Sequence, residues 1–357
     1  MAKRSSEKVE IVGLDLGDRY TSWCLCRVGG EVVSEGRVRT TAEALSRQFG
    51  DAPRRRIVLE TGTHSLWIAR LLRAMGHVVF VLHARSLRLI TASRRKTDRL
   101  DARVLAQLGA TTSVEVLHTV DVIDESVQAD RAVLLARDLL VRARTQQVAH
   151  VRGVAKAWGV RLSSATTKSF PGKVREQIPQ ALRPALTPIL DSILRLCEAI
   201  AAYDEQLEKL AEESYPHSRL LTQVPGVGTL SALAYLWTIR DPKRFAKSRQ
   251  VGAYVGLTAA SRASGQRDPQ LRITKQGNPL LRRLLVQCAH HILSRNKGDS
   301  DLQRFGLRIA AQGGRRGKKR AVVAVARKLA VLLHHLWKTG EVYTPNFGGD
   351  SVLKKAA

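Results

Sequence analysis

The chain has 357 residues, more than one hydrophobic core usually organises, so two or three folding units are expected. Its 59 Lys and Arg against 31 Asp and Glu leave a formal net charge of +28, which excludes an ordinary near-neutral enzyme surface and makes a polyanion the expected partner. No apolar run approaches the roughly 20 residues of a spanning helix, which argues against a membrane, and aromatics at 5% are too few for a base-stacking platform, so phosphate contacts should dominate binding.

In chain order, the opening MAKRSSEKVE lacks the apolar centre of a signal peptide. VEIVGLDLG, TSWCLCRVGG and EVVSEGRVRT then follow as three β-rich runs, the last two joined by a Gly29-Gly30 turn, and predict an antiparallel meander. TAEALSRQFG, RRRIVLETG, a helix from about Ser65 and HVVFVLHA alternate helix with strand, and the order suits an RNase H-like α/β sheet. A basic helix, SRRKTDRLDARVLAQLGA, closes this first domain, residues 1–115. Residues 116–215 read as long helices interrupted by a loop with Ser163, Ser164, Pro171 and Gly172. There Val127, Leu134, Val141 and Val148 recur every seven residues, and Ile189, Ile193, Leu196, Ile200, Tyr203, Leu207 and Leu210 alternate spacings of four and three. Such a series predicts a coiled coil, either between copies or as an antiparallel hairpin within one. Residues 216–340 form a second basic, mainly helical domain, and the tail 341–357 has no helical periodicity. The expected class is therefore α/β plus all-α. Four cysteines, Cys24, Cys26, Cys197 and Cys288, lack metal-ligand spacing, which fits a reducing cytoplasm.

Acids in the first domain carry the first chemical signal. Asp15 lies within the apolar strand GLDLG, Glu60 ends IVLETG, and Asp98 and Asp101 are three apart on one face of the basic helix. Four carboxylates can thus converge on one sheet edge, as hard oxygen ligands for magnesium or manganese in phosphodiester chemistry. Each acid also has a plainer reading: Asp15 capping a turn, Glu60 pairing an arginine, Asp98 pairing Arg94 or Arg95. Arg94, Arg95, Lys96, Arg99 and Arg103 around the paired aspartates suit a phosphate backbone, or else form a solvated basic face.

In the second domain, Gln223-Val224-Pro225-Gly226-Val227-Gly228-Thr229 before an apolar helix resembles the hairpin of a helix-hairpin-helix element. Gly226 and Gly228 would let phosphate approach the backbone and the helix N-terminus; a tight turn is the alternative. Further on, Ser264-Gly265 lies amid Arg262, Arg267, Arg272 and Lys275. Cations of this kind would stabilise charge if the serine attacked a phosphodiester, although Ser-Gly by spacing alone usually marks a turn. His290, His291, His334 and His335 lie in helical apolar runs and read as packing or surface residues.

The ordered set GLDLG, LETG, KTDRLDA, VPGVG, GLTAASRASG and RITKQGNPLLRRLL resembles the insertion-sequence-110 family of transposases, bridge-RNA-guided DNA recombinases, over nearly the whole chain. The resemblance implies that Asp15, Glu60, Asp98 and Asp101 form the DEDD metal site of a RuvC-like domain. It implies that Ser264 attacks DNA to give a covalent phosphoserine. It also implies donor and target DNA, a noncoding guide RNA, a homo-oligomer (dimer or tetramer) with composite sites, and a prokaryotic host. The sequence departs from many relatives at Ala259 and Ala263, where a proline and a serine are usual, which leaves Ser261 as the alternative nucleophile. Two other functions stand against this reading: a hydrolytic RuvC-like endonuclease on branched DNA, using water, and a non-catalytic nucleic-acid scaffold whose acids balance its arginines.

Overall fold

The computed structural model describes residues 10–83, 98–112, 119–261, 271–294 and 299–345. The chain divides into two compact units, Met1–Glu125 and Ser126–Ala357.

In the first unit the meander forms as the sequence predicts: β1 (Ile11–Leu16), β2 (Tyr20–Cys26) and β3 (Val32–Arg39) are antiparallel neighbours. After α1 (Ala42–Phe49), β4 (Arg56–Glu60) adds parallel to β1. After α2 (Ser65–Ala74), β5 (Val78–Leu82) adds parallel to β4. Helix α3 (Asp98–Thr111) precedes the two-residue β6 (Thr119–Val120), too short to leave a pattern in the sequence. The sheet order is β3-β2-β1-β4-β5-β6.

Strand alternation gives the sheet two faces. One buries Val12, Leu14, Ile57, Leu59, Val79 and Val81 against α1 and α2. On the other, Ile11, Val58 and Leu82 meet Leu105 and Leu108 of α3, and Cys24 and Cys26 meet its Ala102 and Ala106. Small residues let α3 lie almost on the backbone of the sheet. A Cβ on Gly13 would overlap the Ala102 carbonyl oxygen and the Ala106 amide, and one on Gly109 would stand 2.5 Å from Val58 Cγ2 and 3.0 Å from Ile11 Cγ2. Because Ala102 lies over Gly13 and Gly109 over Ile11, α3 runs antiparallel to β1. Its first turn therefore points to the carboxyl end of β1.

The second unit begins with α4 (Glu125–Ala157) and, after the short α5 (Phe170–Val174), α6 (Arg183–Glu213). Helices α4 and α6 lie side by side as an antiparallel hairpin within the chain, joined mainly by polar pairs. Its rungs are Tyr215 Oη to Asp130 (2.6 Å), Arg137 to Asp204 (2.5 Å), Arg144 to Cys197 (3.5 Å) and Gln147 to Ser192 (3.1 Å). As one number rises by seventeen the other falls by twenty-three, the signature of opposed helices. The distal end closes on a core around Phe170, Leu186, Leu190 and Ile193, while Leu134 and Leu207 join the main core.

That main core surrounds α8 (Thr229–Ile239), whose residues Ser231 to Trp237 are all buried. Around it stand α7 (His217–Thr222), α9 (Gln250–Tyr254), α10 (Pro279–Ile292), α11 (Asp301–Gln312) and α12 (Gly317–Thr339). A helix apolar on every side must be central. Tyr235, fully buried on this helix, has its polar tip satisfied: Oη donates to the Ala330 carbonyl at 2.7 Å. No described helix is long and apolar enough to cross a membrane.

Candidate functional site

The register of β1 and β4 pairs Leu14 with Leu59, so Asp15 and Glu60 come at the next step on neighbouring strands. Asp15 stands opposite Ser22 of β2, and Glu60 opposite Leu82 of β5. By alternation both belong to the face that carries Gly13 and Val58, the α3 face. Asp98 and Asp101 occupy the first turn of α3, where the helix dipole favours anionic side chains. Four acids read from separate motifs are thereby brought to one edge and one face of the sheet. Asp15, Glu60 and Asp101 are half-buried and Asp98 is exposed.

They share an edge without forming a closed cage: among the described residues, no three His, Cys, Asp or Glu side chains are gathered closely enough to hold an ion. In donor type the set fits a hard divalent cation, which prefers carboxylate oxygens.

Two further features of this edge were not singled out in the sequence. Glu35 of β3 pairs with Cys24 of β2 in the register and so also faces α3. There it accepts hydrogen bonds from Arg99 and, at 3.0 and 3.1 Å, from Arg103. The Arg99 guanidinium, with Arg103 beside it, holds the Glu35 carboxyl below its ordinary value. Arg99, expected on nucleic acid, is thus engaged within the unit, and the pair anchors the first turns of α3 to the sheet. The strand period of two from Cys24 would have exposed this partner. The second feature is His64, after β4, whose Nε2 lies 3.4 Å from Asp18 while its Nδ1 accepts from Trp67 Nε1 at 3.1 Å. Arg94, Arg95 and Lys96 lie outside the described residues.

In the second unit Ser264, Arg262 and Arg267 also lie outside the described residues. Their flanks form a short antiparallel ladder. Ala260 N donates to Arg272 O (2.9 Å), Thr274 N to Thr258 O (2.9 Å) and Lys275 N to Gly256 O (3.1 Å), around the Ala259–Ile273 bridge. Ser261, Arg272 and Lys275 are exposed there. The ladder is locked by glycines at positive φ: Gly256 (+72°) lies against the Gln276 backbone and Gly277 (+76°) against the Tyr254 carbonyl. Asn278 then caps α10, accepting from Leu280 N (2.9 Å) and Leu281 N (3.2 Å), with Pro279 in the first turn. The RITKQGNP motif is therefore a turn-and-cap device that fixes the return strand.

The VPGVG turn joins α7 to α8. Gly226, at φ +88°, packs on α10, where a Cβ would stand 3.0 Å from His291 and 3.2 Å from the Cys288 carbonyl, so packing accounts for that glycine. Gly228 is open and exposed at the start of α8. Thr229 beside it donates to Glu208 at 2.8 Å, which brings a carboxylate to this helix N-terminus. His334 has a packing role: Nδ1 meets Ser248 Oγ and Nε2 meets the Pro242 carbonyl, each at 2.9 Å, and burial lowers its pKa.

Residues 12–157 match the DEDD transposase domain family of the IS110 type, and residues 218–304 match the family described as "Transposase IS116/IS110/IS902 family". The chain belongs to the IS110 family of transposases. The first match spans all four acids and the second spans Ser264 with its ladder. Similar full-length proteins include the transposase for insertion sequence element IS1111A of Coxiella burnetii, 28% identical over 96% of this chain and 93% of that protein. Another is the transposase for insertion sequence element IS1328 of Yersinia enterocolitica, 27% identical over 94% and 99% respectively. This IS110-family transposase is an insertion-sequence protein, and its DEDD domain speaks for divalent metal use.

Proposed function

We propose that the chain cuts and rejoins DNA for an insertion sequence, using Ser264 as nucleophile and Asp15, Glu60, Asp98 and Asp101 as the holders of divalent metal. The observation that supports this reading is that Asp15 and Glu60 stand at the same step of neighbouring strands, on the sheet face covered by α3, whose first turn carries Asp98 and Asp101. Magnesium, or manganese with the same ligands, would supply electrostatic stabilisation of the phosphate charge that develops during cleavage.

The covalent step balances without an external energy source. Ser264 Oγ forms a bond to phosphorus, the strand's P–O bond breaks, and the serine proton ends on the released strand hydroxyl. Attack by another strand's hydroxyl reverses the exchange, so one phosphodiester is made for each one broken. Donor and target DNA are the substrates, and a noncoding RNA from the element would choose them by pairing. That division of labour suits a basic, aromatic-poor protein that reads backbone. A homo-oligomer would complete the sites. Leu135 and Leu139, 51% and 59% exposed and one turn apart on α4, are apolar side chains that a second copy would cover.

A denaturing gel tests the proposal, with the full chain, magnesium, junction DNA of the element and its flanking noncoding RNA. Wild type should give a covalent adduct, Ser264→Ala none, and Asp15→Asn neither adduct nor cleavage. Cleavage by Ser264→Ala without adduct would replace this reading by the water-using endonuclease. Full activity of Asp15→Asn would remove the metal-site assignment.

A further inference from the structure

The second unit carries a groove of about 1010 Å³ between α12 and the 256–275 ladder. From α12 and the turn before it come Arg316, Lys319, Arg320, Arg327 and Lys328, with Val323 and Ala324 between them. These separations of three and four place all of them on one helix face. Across the groove stand Arg272 and Lys275, at its end Arg249, and Leu257 and Ile273 form part of its apolar lining. Eight cations therefore line one cleft, and no Asp or Glu is among its described lining residues.

Such an arrangement is more than a solvated charged face. A solvated face has no cleft, and a packing face would not carry cations at both ends of an apolar centre. Lys275 adds an independent sign. Its φ of +55° lies in the left-handed region that ordinary side chains avoid, between Gly256 and Gly277, which adopt it freely. A non-glycine residue in that conformation carries a backbone cost of about 1 kcal/mol, and here it places a cation on the groove wall.

We propose that this groove seats the phosphate backbone of the DNA strand undergoing cleavage. The occupant follows from charge and position. Arg316 to Lys328 span about 18 Å along the helix, roughly the axial rise of five nucleotides in one strand at ~3.4 Å each. Ala259, two residues before the last described residue ahead of the serine-bearing segment, and Leu271, the first described residue after it, both line the cleft. The choice of DNA over RNA rests on the reading of Ser264 given above. Lys319, Arg320 and Arg316, which no sequence motif marked, become DNA-contacting residues alongside Arg272 and Lys275.

Fluorescence anisotropy of the full chain with a labelled 30-base-pair DNA duplex, between 50 and 200 mM NaCl, tests this directly. Each lost phosphate contact removes about 0.9 from the slope of log affinity against log salt. Lys319→Gln with Arg320→Gln should therefore flatten the slope by about 1.8 and weaken binding roughly sixtyfold near 0.1 M salt. Lys319→Arg with Arg320→Lys should restore both, with circular dichroism unchanged throughout. Lys243→Gln with Lys247→Gln, exposed cations outside the groove, should change binding much less. Equal loss in that control would mean diffuse charge, and unchanged binding in the groove variant would mean no site; either overturns the proposal. So would loss confined to an RNA duplex of equal length. Ser264→Ala should bind DNA like wild type, so a missing adduct with intact binding counts against the nucleophile alone, and intact binding by the groove variant counts against the groove alone.

Discussion

Gly13→Ala is the most demanding perturbation of the acidic edge, because it adds one uncharged methyl group and alters none of the acids. The new Cβ would overlap the backbone of α3 at Ala102 and Ala106 and stand 3.0 Å even from Ala106 Cα. Both partners are backbone, so no rotamer change relieves the clash, and α3 must retreat by on the order of 1 Å. Overpacking of this kind costs about 1–3 kcal/mol, and the upper half applies where nothing flexible can give. For a unit of this size that is a melting-temperature fall of roughly 10 °C. The functional loss should be larger than the stability loss suggests, since α3 carries Asp98 and Asp101 towards Asp15 and Glu60. A misplacement of about 1 Å can cost roughly a hundredfold in rate. Differential scanning calorimetry and DNA cleavage below the new melting temperature measure the two effects separately. Gly153→Ala is the matched control. It lies within α4 with nothing within 4 Å of its added Cβ, and should stabilise by about 0.5–1 kcal/mol without changing cleavage. A Gly13→Ala protein with wild-type melting and cleavage would refute the close approach of α3 and, with it, the placement of the two aspartates.

Three other outcomes follow from the same structure. Glu35→Gln removes the anchor of Arg99 and Arg103; cleavage should drop about tenfold with little change in melting, and Glu35→Asp should recover part of it. If Glu35→Gln cleaves normally, the anchor has no bearing on the acids. Lys275→Gly relieves the left-handed strain and should raise stability by about 1 kcal/mol while weakening DNA binding; a fall in stability would show that the lysine side chain is there for packing. His334, buried and hydrogen-bonded on both ring nitrogens, has a lowered pKa. Its contribution to stability is complete above the ordinary histidine value near 6.5. It is lost as pH falls from there towards the lowered folded value, where the unfolded chain takes up the proton first. Melting temperature should therefore decline between pH 7 and 5 more steeply in wild type than in His334→Gln, and equal slopes would remove His334 as the cause.

The elements that carry the four acids were legible in the sequence because strand position, helical spacing and residue type each leave a local mark. GLDLG announces a strand with an acid one residue before its end, LETG one that ends in an acid, and Asp98 with Asp101 needs only the helical repeat. What holds those acids together was not legible, because it is a matter of close approach between distant segments. Gly13, Ala102, Ala106 and Gly109 look unremarkable one by one and matter only where α3 crosses β1. Glu35 meets Arg99 across 64 positions of chain. The heptads likewise offer α4 and α6 as pairing helices, but the period is identical for a partner in the same chain or another. It took the rungs from Asp130–Tyr215 to Gln147–Ser192 to choose the hairpin. The basic groove lies between these cases. The spacing of Arg316, Lys319, Arg320, Arg327 and Lys328 was present in GGRRGKKRAVVAVARK, yet in a chain of charge +28 a run of cations carries little information by itself. It becomes specific when the opposite wall is supplied by a ladder about 50 residues earlier in the chain, holding one lysine in a conformation that costs energy to keep.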